Sequence, residues 1–196
     1  MHVQNKEAFK RILLLSGVVV YLLFIVCRDK SVGHYKRGTA HANKGEHDRP
    51  ILCFDKALEI NPRFVEAYCN RGVAYDKKGE YDRAISDFNK ALEINPWLTV
   101  AYYNRGNAYR TKGEYNRAIS DYTKAIEIDP KHAMAYNNRA ILYCGMREYN
   151  KAWEDVNKAQ SLGYQVHPEF LKKLREASGK ERADIKKPLL LATSEI

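Results

Sequence analysis

Paired cysteines are missing from this sequence. Cys27, Cys53, Cys69 and Cys144 form no CxxC and no paired spacing, which argues against a disulfide framework or a zinc site. Also missing are a Gly-rich phosphate cradle, an HExxH and any Cys or Ser with an obvious partnered His. A free-standing enzyme would need such a constellation, so no catalytic residue, cofactor or metal ligand is assigned. Charge of one sign is nowhere concentrated. The net +9 divides into +3 over residues 1–30, +4 over 31–164 and +2 over 165–196. A nucleic-acid surface would gather its Lys and Arg on one stripe or arm. Here both signs interleave as on solvated helix faces, and no nucleic acid is expected as a partner.

Long apolar runs are scarce as well. Residues 12–27 are uncharged between Arg11 and Arg28, about 24 Å of helix against a hydrocarbon core of ~30 Å. Snorkelling of the two arginines would extend that reach. The reading adopted is a membrane anchor within residues 1–30, which makes the chain a single-pass membrane protein held through 12–27. The alternative is a signal peptide with a small-x-small site at Ser31-Val32-Gly33, giving an exported soluble protein after cleavage. Lys and Arg on both flanks leave the orientation open.

What the chain does have is repetition. Tyr68-Cys69-Asn70-Arg71-Gly72 returns as Tyr102-Tyr103-Asn104-Arg105-Gly106 and as Tyr136-Asn137-Asn138-Arg139-Ala140. Gly79-Glu80-Tyr81 returns as Gly113-Glu114-Tyr115 and, more loosely, as Arg147-Glu148-Tyr149. Ala84, Phe88 and Ala91 keep step with Ala118, Tyr122 and Ala125, then with Ala152, Val156 and Ala159. Pro96 matches Pro130, and the excess of Tyr (14 against six Phe) follows from the repeat.

Each unit reads as two helices. In the clearest copy the first runs from Val65 to Lys78 and closes on Gly79, which takes the left-handed conformation cheaply. The second runs from Tyr81 to Ile94 and stops ahead of Pro96. Residues 31–64 form a degenerate copy, with Gly38, Gly45, Phe54, Ala57 and Pro62 in register. Its Pro50 moves the start of the second helix to near Arg49. His34, His41 and His47 stand where later copies have Tyr. Two of them lie about 10.5 Å apart along a helix, which favours a structural role over a shared metal. Pro168 begins a further helix with Phe170, Leu171 and Leu174 on its apolar side.

A period of 34 with these residues in register resembles the tetratricopeptide repeat (TPR) family over residues 31–178. The resemblance implies an all-α, right-handed superhelical solenoid of four TPR helix-turn-helix units. A C-terminal capping helix and the N-terminal hydrophobic helix complete it. The expected segments are the anchor (1–30), repeats at 31–64, 65–98, 99–132 and 133–164, the capping helix (165–178) and a flexible tail (179–196).

By family register the first helices line a concave groove. Asn70, Asn104 and Asn138 would form an amide ladder there, able to donate to and accept from peptide backbone. Tyr35, Thr39, Cys69, Val73, Tyr103, Asn107, Asn137 and Ile141 would supply selectivity. The competing reading is that the three Asn only tie neighbouring repeats together. The resemblance thus implies a non-catalytic adaptor or scaffold for an extended segment of another protein, beside a membrane. The alternatives are a self-associating module and an accessory subunit of a multiprotein enzyme or of a secretion or assembly complex. The carboxylate clamp that some TPRs use for acidic chaperone tails is not matched. Its positions hold Tyr35, Thr39, Asn70, Val100 and Asn104 in one frame, and Cys69, Val73, Asn104, Met134 and Asn138 in the other. An Arg precedes each small residue (Arg37, Arg71, Arg105, Arg139) where the family pattern prefers Leu. Asp87, Asp121 and Asp155 follow sixteen residues after the last three. Those arginines either bridge the two helices of a repeat or snorkel to solvent.

Overall fold

The computed structural model describes residues 19–22, 26, 30–46 and 48–179, which are helical or in turns, with no strand among them. It divides into two bodies, residues 1–97 and 98–196. The first contains α1 (30–43), α2 (Asp48–Ile60), α3 (Val65–Lys77) and α4 (Tyr81–Ile94). The second contains α5 (Thr99–Thr111), α6 (Tyr115–Ile128), α7 (Ala133–Gly145), α8 (Tyr149–Ser161) and α9 (Pro168–Ser178).

Within the first body α3 packs on both α2 and α4; within the second, α6 packs on α5 and α7, and α8 on α7 and α9. Size complementarity sets the closeness of each pair. A Cβ on Gly38 would lie 2.6 Å from the Phe54 ring, one on Gly72 2.8 Å from Phe88, and one on Gly106 2.8 Å from Tyr122. A helix without a side chain at that position lets the facing ring lie against its backbone. In the last repeat Ala140 takes the place of Gly, and the smaller Val156 takes the place of the ring; both are fully buried in one core cluster.

The ends of the helices follow from local chemistry. Gly79 and Gly113 turn at φ +77 and +78, where a Cβ would be strained. Asn95 and Asp129 are extended ahead of Pro96 and Pro130, as the pyrrolidine ring requires. Their side chains accept from the backbone N–H two residues on, at 3.0 Å in each case, forming Asx turns. Pro50 sits buried in the first turn of α2. Pro168 opens α9 and Gly179 closes it at φ +67. Leu174 is fully buried against α8, and Trp153 Nε1 donates to Ser178 Oγ at 3.1 Å.

The membrane expectation is corrected. Among the described residues no helix is long and apolar enough to cross a membrane. A run of sixteen uncharged residues reaches about 24 Å as helix, short of the hydrocarbon thickness of ~30 Å. Residues 19–22 and 26 are helical and exposed; the remainder of 12–27, and the tail from 180, lie outside the described residues.

Candidate functional site

In α3 and α7 an adjacent Asn-Arg pair sends the Arg to the second helix of its own repeat and the Asn to a neighbouring first helix, and α5 repeats the Arg contact. The arginines turn inward. Arg71 Nε and Nη2 donate to the two oxygens of Asp87 at 2.8 and 2.6 Å. Arg105 holds Asp121, and Arg139 holds Asp155, each at 2.8 and 2.7 Å. All three aspartates are buried, at 4–5 % exposure, so the bridging reading holds and the snorkelling one does not. In two of the three the third nitrogen reaches the preceding repeat: Arg71 Nη1 donates to Asp55 at 2.6 Å and Arg139 Nη1 to Thr123 at 2.9 Å. Tyrosines three residues before and four after cover the guanidinium faces, as Tyr68 and Tyr75 do for Arg71 at 5.6 and 6.0 Å. Burial works against the Arg71 cation, but the hydrogen bonds to Asp87 and Asp55 outweigh it and raise its affinity for the proton. Arg37 departs from this pattern, because Cys53 replaces the aspartate; it lies 3.1 Å from His34 Nδ1 instead.

Asn70 and Asn138 turn towards a neighbouring first helix. Asn70 Nδ2 donates to Tyr35 Oη at 3.0 Å, from α3 to α1. Asn138 Nδ2 donates to Tyr103 Oη at 3.2 Å and to Asn107 Oδ1 at 3.0 Å, from α7 to α5. Asn107 Oδ1 also accepts from Tyr122 Oη at 2.8 Å, and Asn137 Nδ2 lies 3.4 Å from Asn138 Oδ1. Asn70 and Asn138 therefore act as ties between repeats. Unused capacity remains on Asn107, whose oxygen takes both bonds while its N–H groups make none among the described residues. Asn104, half-buried in α5, makes no side-chain hydrogen bond among the described residues.

The other groove positions separate by exposure. Asn70, Val73 and Thr39 line one cleft of about 180 Å³ in the first body. Tyr35 packs on Phe54 and Phe64, with ring centroids 5.9 and 4.9 Å away, and Tyr103 on Tyr122 and His132 at 5.9 and 4.7 Å. Cys69 and Asn137 are buried, at 6 and 7 % exposure, and offer little surface to a ligand. Burial, with Glu66 and Asp87 adding to it, pushes the Cys69 thiol up to about 12. Ile141 is exposed and borders a different cavity, in the second body. His34 and His41 are half-buried in α1, with His41 Nδ1 3.0 Å from Glu46; His47 lies outside the described residues.

The Tyr122–Asn107 bond escaped the reading by repeats, yet the sequence carries its signal. Where the ring is Phe88, the residue matching Asn107 is Val73; where the ring gains a hydroxyl, its neighbour gains an amide.

Tetratricopeptide-repeat family profiles match residues 65–98 and 99–132, then 121–154, and a TPR-repeat profile matches 38–79. Together these matches extend over residues 38–154, more than half of the chain. The chain belongs to the tetratricopeptide-repeat family.

No curated protein matches this TPR chain. Among solved structures it is similar to MamA (27 % identity, TM-score 0.66, covering 68 % of this chain and 78 % of that one). It is similar also to the first TPR of Spaghetti (RPAP3) bound to the HSP90 peptide SRMEEVD (26 % identity, TM-score 0.60, covering 61 % and 94 %). A TPR protein from Parabacteroides merdae shares the fold (20 % identity, TM-score 0.69, covering 77 % and 61 %).

Proposed function

We propose that this TPR protein is a non-catalytic adaptor that binds an extended segment of a partner protein along its first helices. The observation that carries the reading is the uncommitted amide capacity of Asn104 and Asn107 on α5. Both side chains are half-buried and held by a rigid helix. An amide in that setting can grip a peptide unit without demanding a particular side chain, because it offers both donor and acceptor. The solved TPR domain that carries a peptide supports the choice of ligand class. Family membership supports a binding rather than a catalytic role, with the partner's identity resting on its own chemistry rather than on the fold.

The test is capture of a partner from native extract by the full chain, by Asn104→Ala and by Asn107→Asp. The Asp variant keeps an acceptor for Tyr122 and Asn138 and removes the free N–H donors. Circular dichroism must first show equal helicity. Loss of one defined partner with both variants supports the reading; equal capture by all three proteins sinks it.

A further inference from the structure

The second body has an open cavity of about 680 Å³ bordered by α9, the ends of α5 and α7 and the starts of α6 and α8. That lies within the roughly 300–1,000 Å³ of sites that hold small ligands or anchoring side chains. Tyr115, Ile141, Met146 and Phe170 supply apolar surface. Tyr115, Ile141 and Met146 are exposed by 51, 36 and 41 %. The charged residues that line it are Arg110, Arg147 and Lys173, and no carboxylate is among them.

What marks this cavity is the grouping of three cations around one apolar floor with no carboxylate in its lining. Some exposed cations are matched on their own helix turns, as Arg83 is by Glu80, Arg117 by Glu114 and Lys124 by Glu127, while others, such as Arg63, Lys131 and Lys158, make no ion pair among the described residues. Glu148, next in sequence to Arg147, is taken by Lys151. Among the described residues Arg110, Arg147 and Lys173 make no ion pair. Three cations beside an apolar floor raise the local potential for an anion that brings apolar surface with it.

Arg147 adds an independent observation. It stands where the other repeats place Gly45, Gly79 and Gly113, at φ +76 to +78, and its own φ is +63. No other non-glycine described residue has positive φ. A side chain in the left-handed region strains the backbone, and such strain persists where the surroundings or a function hold it. What the arginine provides and glycine cannot is a guanidinium at the lip of the cavity.

We propose that this cavity docks a partner segment in which one large apolar side chain is flanked by Asp or Glu residues. The apolar side chain enters between Tyr115, Ile141, Met146 and Phe170, and the carboxylates meet Arg110, Arg147 and Lys173. The inference rests on the adaptor reading and adds a location and a chemistry to it. None of the three cations stands at a position of the carboxylate clamp, so this is a separate route to an acidic ligand.

The test uses the full chain and a labelled, end-blocked peptide, Gly-Asp-Asp-Phe-Asp-Asp-Gly, read by fluorescence anisotropy. Two control peptides carry Asn for every Asp, or Ser for Phe. The parent is expected to bind the acidic aromatic peptide about tenfold more tightly than either control, a difference that close charge pairs and a buried ring can each supply. Arg147→Gly is expected to lose about tenfold in affinity while its melting midpoint rises, and Lys173→Glu to lose at least as much. Unchanged affinity in Arg147→Gly and Lys173→Glu overturns the proposal, as does equal binding of the controls. Competition by oligodeoxythymidylate points to nucleic acid instead and also overturns it. So does tighter peptide binding after deletion of residues 180–196, which would place the chain's own tail in the cavity. A parent dimer that Arg147→Gly dissociates assigns the face to a second copy and overturns it too. If the peptide fails to bind while partner capture still depends on Asn104, this inference falls and the adaptor reading stands; if both fail, both fall.

Discussion

Gly72 and Phe88 occupy one space: a Cβ on Gly72 would lie 2.8 Å from ring carbon Cε1 of Phe88, a side chain with no exposed surface. The ring cannot move outwards without losing its place between α3 and α4. Gly72→Ala is therefore expected to cost about 1–3 kcal/mol by overpacking. Combining it with Phe88→Val reproduces the Ala140 and Val156 arrangement of the last repeat. In a urea double-mutant cycle the pair should cost less than the sum of the single changes, with a coupling of roughly 0.5–3 kcal/mol. Simple additivity would show that the ring does not decide the residue at position 72.

Arg139 and Asp155 pose a different problem, since one cannot be removed without stranding the other. The Asp155 side chain is 6 % exposed and that of Arg139 15 %. Arg139→Ala should cost about 3–5 kcal/mol, because it leaves a buried carboxylate uncompensated. Arg139→Lys keeps the charge and loses the planar fork, so its urea midpoint should fall between parent and Ala variant. A loss of under about 1 kcal/mol in Arg139→Ala would place the pair among exposed ion pairs.

Asn138 and Asn104 share a register position but not a role. Asn138→Ala removes bonds to Tyr103 and Asn107 and should cost about 1–3 kcal/mol. Asn104→Ala should stay within about 0.5 kcal/mol of the parent. Equal losses in thermal unfolding would mean that Asn104 is structural too, and would remove the ground for the adaptor reading.

Alkaline pH should weaken the fold. Burial pushes the Cys69 thiol from 9.0 up to about 12, and burial also raises the Tyr122 phenol. The folded chain keeps these protons after the unfolded chain has released them. Their contribution is therefore complete below the ordinary thiol value and is lost as pH rises from there. The slope is about 1.4 kcal/mol per pH unit for each such group within its window. Urea midpoints should fall from pH 8 to pH 11, and the fall should be shallower in Cys69→Ala. A flat profile would contradict the burial of both groups.

Arg147→Gly should stabilise the protein. A non-glycine residue in the left-handed region costs roughly 1–2 kcal/mol, offset in part by the greater freedom of glycine in the unfolded chain. A melting midpoint raised above that of the parent is the expected result; a lowered one would mean that the Arg147 side chain contributes to stability.

Much of the architecture is legible in the chain's own pattern. The small residues, the closing glycines and the prolines recur at a fixed spacing, and each acts through local sterics or backbone conformation that a sequence displays directly. Tyr81–Ile94 and the helix opened by Pro168 are cases in point. The Arg71–Asp87 spacing is visible as well, although its burial is not, because exposure depends on which neighbours cover a side chain. Tertiary structure decided the remainder. It placed Asn70 and Asn138 against tyrosines 35 residues away, buried Cys69 and Asn137, and left Asn104 and Asn107 with amide groups to spare. It also set Arg110, Arg147 and Lys173 around one apolar cavity, which no spacing reveals because they come from three separate segments. The sequence by itself determined the repeat and its helices, since these depend on near neighbours in the chain. Which polar groups remain available to a ligand was decided only when distant helices used up the others.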